Sequence, residues 1–530
     1  MPPEGHTLLK KSVTRIPLEI LLFLTLLFAS SYFHHPVDYD NSRTRLMMVS
    51  AMVDFHTYAI DNLQRLQLYH TIDVSSNGGK QYSNKAPGAA MIAAPVYGLI
   101  KKLVPAKNMP LLSFWHRYLI NVFTNGLLFA IAGLVLFRLG LRWSGDVLSA
   151  LLGVFAFSFG SIAWSHSQYF SGHLMTGILF LFGFACLIHF HDRPGDYDTT
   201  FAKIIAFCGG IFTGFGFACE YTSVFLAVAL FCYLLWLRPP LSLIVLFSLG
   251  VAFPLMMVFS YNYHCFGSIF STGYQHLVLE EFVEGTAKGF LGIGLPKPHS
   301  LLMLLFSPSR GLFFLMPVFI FSLIGLGRMW RSRRFRPEML VISAIALWYV
   351  ILISGYFGWH GGWTYGPRYF VPMLPFLTLA LFFSPLRSLP GALLLILSTL
   401  LVLPSIVIMP HTPPVFSNPI VELIIPMMKT GYLPDSWLSL MGFGKPTGVL
   451  VGIAVILLLV TFLLMLGFRI RSVAPPFPAG NCHRILAIAV STVIITTILF
   501  FRSPETDRAQ FYLYTEHLKA NYHQVVKYFK

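Results

Sequence analysis

Residues 16–33 read IPLEILLFLTLLFASSYF, an apolar run long enough to cross a bilayer as a helix. Lys10, Lys11 and Arg15 precede it, as in a signal peptide, but no A-x-A cleavage site follows. We therefore predict an uncleaved first span with a cytoplasmic N-terminus. The polar stretch HHPVDYDNSRTR, residues 34–45, comes directly after this run and would lie at the mouth of the span.

The composition of the chain indicates many more spans. Of its 530 residues, 56% are hydrophobic and only 11% are charged, whereas soluble globular proteins carry about 25% charged residues. We therefore predict an all-α polytopic membrane protein. The net charge of +16 suits basic cytoplasmic loops, so we expect no nucleic-acid partner. The six cysteines show no CxxC spacing and predict neither a disulfide framework nor a zinc site.

About thirteen apolar runs have the length of a transmembrane helix. They cover residues 16–33, 113–137, 146–165, 172–190, 203–218, 221–237, 241–262, 302–327, 339–357, 369–385, 391–409, 448–468 and 484–501. Every second loop carries arginine or lysine, as the positive-inside rule requires of cytoplasmic loops. This count predicts one transmembrane domain, 1–501, and an external C-terminal tail, 502–530.

Three long loops then fall on the outer face, at 34–112, 263–301 and 410–447. Two segments of the first, SRTRLMMVSAMVDFHTYAI (42–60) and KAPGAAMIAAPVYGLIKKLV (85–104), have helical apolar spacing with charged flanks. We predict that they are interfacial helices lying along the membrane surface. No internal repeat is visible, which disfavours a transporter built from repeated halves.

Positive charge on the outer face runs against the general pattern and needs a reason. The residues concerned are Arg43, Arg45, Lys85, Arg117, Arg310 and Arg368. Cations gathered at one face suit an anionic ligand, and arginine binds phosphate through paired donors. The alternative for each is a side chain that reaches the lipid headgroups. Arg310 in SPSRG and Arg368 in GWHGGWTYGPRY lie in turns rich in glycine and proline, which favours ligand binding, and Trp363 could stack on a sugar.

Asp40 is the main candidate for catalysis. A carboxylate at the end of a span, near cations, can act as a general base toward a hydroxyl or an amine. The alternative is an N-cap of a helix that starts near Ser42, a task that Asp38 or Asn41 would also fit.

Two further outer loops carry polar candidates. His166 and His173 lie close together in the chain and could face the same cavity, but no carboxylate stands near them in the sequence, so we expect no metal site. Glu220 occupies a very short outer turn, where we expect it to pair with an outer-face arginine.

Three features together resemble the GT-C glycosyltransferases, in particular the branch with the aminoarabinose transferase of lipid A and the protein O-mannosyltransferases. DNSRTRLMMVSAMVD resembles the acidic motif of that branch, with Asp40 in the position of the catalytic aspartate and Arg43 three residues later. QYSNKAPGAAMIAAPVYGLI resembles its tyrosine–acidic–Lys-Pro segment, with Tyr82 and Lys85 at the matching positions. The third feature is the layout of spans, first loop and external C-terminus. SPSRG and GG-W-x-Y-GPRY are similar to bacterial family-39-like members.

The resemblance implies a GT-C fold and an inverting hexosyl- or pentosyltransferase of the bacterial inner membrane. Such an enzyme takes a sugar from a polyprenyl-phosphate donor at the periplasmic face and passes it to lipid A, a polysaccharide, a glycolipid or a protein. It needs neither a metal nor a cofactor, because lysine and arginine supply the positive field. The competing interpretations are a transporter or flippase of a lipid-linked sugar and an O-antigen polymerase or ligase.

The resemblance and the outer-face charges together assign roles to residues. Asp40 would be the catalytic base, and the donor phosphate would bind Lys85, Arg310, Arg368 and Arg117. The residues expected to support catalysis or to contact the acceptor are Asp38, Arg43, Tyr82, His166, His173, Glu220, Trp363 and Tyr365.

Overall fold

A computed structural model of the chain describes residues 15–35, 39–65, 69, 71–103, 112–193, 195, 197–429, 431–470 and 481–500. Asp38 and the C-terminal tail 502–530 lie outside these residues. The structure is helical nearly throughout, so the all-α membrane class is confirmed.

Up to residue 219, the described residues form ten α-helices and one π segment. The α-helices are Arg15–Ser31, Asp40–Asp54, Asp61–Arg65, Gly88–Leu103, Phe114–Asn121, Leu127–Ser144, Val147–Ser158, Ala163–Ser167, Gly172–Asp192 and Thr200–Cys219. The π segment Val122–Gly126 joins two of them into one continuous rod, Phe114–Ser144.

After residue 219 the described α-helices are Val224–Trp236, Leu241–Phe266, Glu280–Thr286, Pro298–Phe306, Leu312–Leu315, Ile320–Arg331, Arg336–Ser354, Leu374–Leu381, Leu389–Val407, Ile425–Lys429, Trp437–Leu440, Lys445–Arg469 and Asn481–Phe500. The 3-10 segments are Tyr221–Ser223, Gly273–Gln275, Pro317–Phe319, Arg333–Phe335 and Arg368–Met373, and Ile420–Ile424 is a second π segment.

Most predicted spans correspond to single helices, but two runs divide, and one of these is 146–165, which contains the separate helices Val147–Ser158 and Ala163–Ser167. Among the described residues, seven helices are long and apolar enough to cross a membrane, and five shorter apolar helices match other predicted runs. The run 302–327 was wrongly predicted to be a single span, since it divides at Ser307–Gly311 and again at Met316. Pro308 and Pro317 interrupt the helical hydrogen bonds at these two places.

Two charged regions lie at opposite ends of the bundle. Helix Gly172–Asp192, about 30 Å long, connects them. At its C-terminus Asp192 forms ion pairs with Arg142 and Arg334, which lie in two of the basic loops predicted to be cytoplasmic. At its N-terminus Gly172 lies against the side chains of Arg45 and Glu220. We call this second region the outer end, and it is here that the candidate residues meet.

The first outer loop contains both predicted helices, Asp40–Asp54 and Gly88–Leu103, and between them a β-hairpin that the sequence pattern did not reveal. Strands Val74–Asn77 and Lys80–Ser83 pair antiparallel around Gly78 and Gly79. Both glycines have positive φ, 56° and 75°, as a two-residue type I′ turn requires. The pairing of Val74 with Ser83 brings residue 73 beside residues 84 and 85. The hairpin therefore sets the geometry of the site described next.

A second small sheet fastens the end of the first span. Strand Phe33–His34 pairs antiparallel with Asp435–Ser436 of the last long outer loop. The Tyr32 hydroxyl donates a hydrogen bond to the carbonyl oxygen of Gly448 at 2.8 Å. These contacts fix the point at which the chain leaves the first helix and enters the segment that carries Asp40.

Candidate active site

Asp40 is the first residue of helix Asp40–Asp54, two residues earlier than the sequence suggested. Its carboxylate does not cap this helix, whose N-cap is Tyr39. Instead Oδ1 of Asp40 accepts hydrogen bonds from the Thr71 hydroxyl at 2.9 Å and from the backbone N–H of Ile72 at 3.1 Å. The carboxylate is therefore oriented by the segment that leads into the hairpin, an arrangement suited to a positioned base.

Asp73 and Lys85 form an ion pair across the open end of the hairpin. Lys85 Nζ lies 3.0 Å from Oδ1 of Asp73, and the two side chains are only 10% and 9% exposed. Asn84 donates to the same carboxylate oxygen at 3.3 Å. Burial raises the pKa of the Asp73 carboxyl, but Lys85 and Arg368 lower it by more, so its pKa lies below the ordinary value. Asp73 is thus a charged carboxylate among cations.

Thr71 connects the two carboxylates. Its hydroxyl donates to Asp40 and accepts a hydrogen bond from the backbone N–H of Asp73 at 3.2 Å. The Thr44 hydroxyl, one turn along the Asp40 helix, donates to the carbonyl oxygen of Asp73 at 2.9 Å. Residues 40 and 73 are therefore held together by short, local contacts.

Arg368 is the electrostatic centre of the outer end. Its charge lowers the pKa of Asp73 and adds to the burial that lowers the pKa values of His166, His360 and His411, the value of His360 to about 4. Its guanidinium donates to the Tyr369 hydroxyl at 3.2 Å, and Nε is buried without a hydrogen-bond partner among the described residues. Arg368 therefore has donor capacity left for a ligand.

Arg310 is bound very differently from Arg368. It is 1% exposed, and its Nε donates to the carbonyl oxygen of His360 at 2.7 Å. Its terminal nitrogens donate to the carbonyl oxygens of Ser309, Gly362 and Thr412 at 2.9–3.2 Å. The side chain therefore clasps the loop that leads to Arg368, and a role in phosphate binding stays a prediction.

The turn held by this clasp needs its glycines. Gly361, Gly362 and Gly366 have φ values of 73°, 63° and 76°, a region that residues with a Cβ rarely adopt. A Cβ on Gly361 would also lie 3.1 Å from Cγ of Arg368. The GWHGGWTYGPRY motif thus folds back against its own arginine and positions it.

Beneath the Asp40 helix lies a buried network centred on Glu220. As predicted, Glu220 pairs with an outer-end arginine, which is Arg45, and both side chains are at least nine-tenths buried. Arg45 also donates to the side-chain oxygen of Asn41 at 2.7 Å, next to Asp40. His173 Nδ1 lies 3.4 Å from Glu220. The fold thus brings to His173 the carboxylate that the sequence did not show beside it.

We expect Glu220→Gln to destabilise the protein by about 3–5 kcal/mol, because it leaves the buried Arg45 charge without its counter-ion. The measurement is thermal or denaturant unfolding in detergent. Glu19→Gln is the matched control, since it breaks an ion pair with Arg138 whose arginine is 64% exposed, and we expect about 1 kcal/mol or less there. Equal losses for the two variants would contradict a stabilising role of the buried pair.

The remaining predicted residues lie at several distances from this centre. Trp363 packs on Tyr39, with ring centroids 5.4 Å apart, directly before Asp40. Nδ1 of His166 and the Tyr169 hydroxyl share a hydrogen bond of 2.9 Å, and the ring centroids of His166 and His173 are 6.4 Å apart.

The other residues predicted to belong to the site make packing contacts, follow Asp40 in its helix or line a cavity. Tyr82 packs on Phe266, and the Tyr365 hydroxyl donates to the carbonyl oxygen of Leu401. Arg43 follows Asp40 by one turn, and its pKa, lowered by burial, is raised in part by the Asp40 charge. Arg117 lines a cavity with His34, His35, Asn121, Gln168 and Tyr169.

Sequence reasoning missed Asp73 and His411. Asp73 becomes significant only through the hairpin, although the turn residues Asn77-Gly78-Gly79 are a recognisable signal for one. His411 is 4% exposed and packs between the rings of Tyr39 and Tyr169, at centroid distances of 4.1 and 4.5 Å. No local signal marks it, since its neighbours come from distant segments.

The chain matches no protein family model and no curated protein sequence. Its structure is similar to the crystal structure of ArnT from Cupriavidus metallidurans bound to undecaprenyl phosphate, with 15% identity, a TM-score of 0.47, and coverage of 86% of this chain and 77% of that chain. The apo state of the same protein aligns with 13% identity and a TM-score of 0.46, over 87% and 78% of the two chains.

A third similar structure is the archaeal oligosaccharyltransferase AglB from Archaeoglobus fulgidus, in complex with an inhibitory peptide and a dolichol-phosphate. It aligns with 9% identity and a TM-score of 0.38, over 88% of this chain and 56% of that chain.

Proposed function

We propose that this chain is a GT-C membrane glycosyltransferase that moves a sugar from a polyprenyl phosphate to an acceptor at the outer end of the bundle. The observation that carries the proposal is the grouping of Asp40, Lys85 and Arg368. Asp40 is linked through Thr71 to Asp73, which pairs with Lys85 and whose pKa is lowered by the Arg368 charge. A set of buried cations beside an oriented carboxylate suits displacement of a phosphate from a sugar.

Lys85 and Arg368 are the proposed ligands of the donor phosphate. Both carry positive charge in a partly buried setting, where electrostatic interactions are stronger than in water. The Arg368 charge reaches His166, His360 and His411, and burial lowers the pKa values of these imidazoles, so at neutral pH the rings are uncharged. The positive field at the phosphate therefore comes from the lysine and arginine side chains.

Asp40 is the proposed base. It takes the proton of the acceptor hydroxyl or amine while the freed electron pair forms a bond to the anomeric carbon of the sugar. The bond between that carbon and the phosphate oxygen breaks, and its electron pair stays on the polyprenyl phosphate. Lys85 and Arg368 stabilise the charge that develops on the phosphate. Direct displacement of this kind inverts the anomeric configuration.

Tyr39, Trp363 and His411 form the proposed wall for the sugar. The ring of Tyr39, the residue before Asp40, has its centroid 5.4 Å from that of Trp363 and 4.1 Å from that of His411. Aromatic faces pack well on the apolar face of a pyranose, and the polar edges of Trp and His can bind hydroxyls.

The experiment is sugar transfer by the purified protein in proteoliposomes, with undecaprenyl-phosphate sugars as donors and envelope lipid, polysaccharide or protein fractions as acceptors. Mass spectrometry of envelope glycolipids and glycoproteins from cells with and without the gene selects the acceptor to be tested. We expect sugar to be transferred and undecaprenyl phosphate to be released in equal amounts. Movement of intact labelled donor across the vesicle membrane without transfer would instead show a flippase.

A further inference from the structure

We propose that Asp73 is an internal counter-anion of Lys85 and Arg368, the proposed ligands of the donor phosphate. By repelling the phosphate, Asp73 favours release of the polyprenyl phosphate product. The inference rests on the proposed function and concerns the charge balance of the same site. It follows from the position of Asp73, since a carboxylate already occupies the lysine that the phosphate is expected to bind.

The geometry makes Asp73 a competitor of the phosphate for Lys85. The Nζ–Oδ1 distance is 3.0 Å, and the Asp73 side chain is held in place by Asn84 on the same oxygen. The Thr44 hydroxyl donates to the carbonyl oxygen of Asp73, and the Thr71 hydroxyl accepts from its N–H, so the main chain of Asp73 is fixed on both sides. Movement of the Asp73 side chain away from Lys85 would break the ion pair and the hydrogen bond from Asn84, so we expect an incoming phosphate to share Lys85 with it.

The groups that face Asp73 come from several elements. Lys85 approaches from the hairpin end and Arg368 from the 3-10 segment Arg368–Met373. Tyr274 lies in the outer loop 263–301, and Tyr356 follows helix Arg336–Ser354. Burial is the main reason that the pKa values of both hydroxyls are raised, and the Asp73 charge makes a small further contribution. Lys85 is therefore the cation in direct contact with Asp73, and the other groups act on it at longer range.

The consequence differs for donor and product. A polyprenyl-phosphate sugar is a phosphodiester with one negative charge. The polyprenyl phosphate left after transfer is a monoester, with a charge of about −1.5 to −2 at pH 7 and a second pKa near 6. Repulsion by Asp73 is therefore nearly doubled in the product, and it offsets the stronger attraction of the product to Lys85 and Arg368. Without Asp73 the cations would hold the product more tightly than the donor.

Two probes test this without knowledge of the sugar: undecaprenyl phosphate as the monoester and undecaprenyl methyl phosphate as the diester. Binding of each to wild type, Asp73→Asn and Asp73→Glu is measured in detergent at pH 5 and pH 8. Asp73 stays ionised over this range because its pKa lies below the ordinary value, and burial lowers the pKa values of His166, His360 and His411, that of His360 to about 4. The change in pH therefore acts mainly on the charge of the monoester.

At pH 8 we expect Asp73→Asn to bind the monoester about tenfold more tightly than wild type does, and the diester only about twofold to threefold more tightly. At pH 5 each probe carries one negative charge, so Asp73→Asn should gain the same affinity for the monoester and the diester relative to wild type. Asp73→Glu keeps the charge and should behave like wild type. Asp61→Asn, which removes another carboxylate of the same outer loop whose partner is the backbone N–H of Gln81, is the matched control and should change neither affinity.

Equal affinities of Asp73→Asn and wild type for both probes, within twofold, would overturn the counter-anion role and leave the proposed function standing. Failure of wild type to bind either probe would instead count against the proposed function. If Asp73→Asn does not fold, the pH dependence of lipid binding to wild type tests the proposal. Its preference for monoester over diester should stay within about twofold between pH 5 and pH 8, and a tenfold rise would refute the proposal.

Discussion

Replacement of Asp40 by asparagine is expected to reduce sugar transfer by about 10²–10⁴-fold, the usual contribution of a positioned general base. The substitution is nearly isosteric, and both hydrogen bonds from Thr71 and Ile72 go to Oδ1 of Asp40, an acceptor that the asparagine side chain retains. The variant should therefore fold normally and lose only the ability to take a proton. The measurement is the single-turnover rate of transfer in proteoliposomes.

Binding of undecaprenyl phosphate separates a lost base from a damaged site. We expect the affinity of Asp40→Asn for this lipid to stay within about threefold of wild type, because Lys85 and Arg368 are unchanged. Asp61→Asn again serves as the control carboxylate and should keep wild-type transfer rates. Transfer by Asp40→Asn at more than a tenth of the wild-type rate would rule out Asp40 as the base and direct attention to Asp73.

Replacement of Arg368 by glutamine should cost about 10²–10³-fold in transfer, the scale seen when one group that stabilises transition-state charge is removed. The affinity for undecaprenyl phosphate should fall with it, because the same charge acts on the bound phosphate. Arg368→Lys keeps the charge but loses the paired donors, so we expect an intermediate loss. Transfer rates and lipid binding are measured on the same preparations.

Arg310→Gln is the informative comparison for Arg368. The donors of Arg310 are used by carbonyl oxygens of Ser309, His360, Gly362 and Thr412, so its removal leaves buried acceptors without partners. We expect a clear loss of thermal stability from Arg310→Gln, whereas Arg368→Gln should change stability little. If the two variants lose stability equally and bind the lipid equally, the distinction between clasp and ligand is wrong.

The sequence predicted the helices well where the signal is local. Apolar runs such as 172–190 and 241–262 became helices Gly172–Asp192 and Leu241–Phe266, because bilayer length and backbone hydrogen bonding leave few alternatives. The run 302–327 failed because mean apolarity hides the two prolines that divide it. Spans are therefore predictable from composition, but their breaks depend on single residues.

The site was only partly predictable. Asp40 and Lys85 stand out as charge on the outer face, and Glu220 was correctly expected to find an arginine there. Asp73 did not stand out, since its importance comes from the register of a hairpin that joins it to Lys85. Arg310 and Arg368 have the same residue type and similar turns, yet only three-dimensional contacts distinguish a clasp from a side chain with donors to spare.

An insertion in the hairpin can be used to determine the orientation of the protein in its membrane. Gly78 and Gly79 form an exposed tip with no neighbouring atoms where a side chain would extend, and the ion pair of Asp73 with Lys85 lies at the far end of the strands. Exposed tips of this kind tolerate insertion. A short epitope placed between the two glycines would be stained by antibody on intact spheroplasts if this loop is external. The tip can therefore report on which side of the membrane this loop lies while the ion pair of Asp73 with Lys85 stays undisturbed.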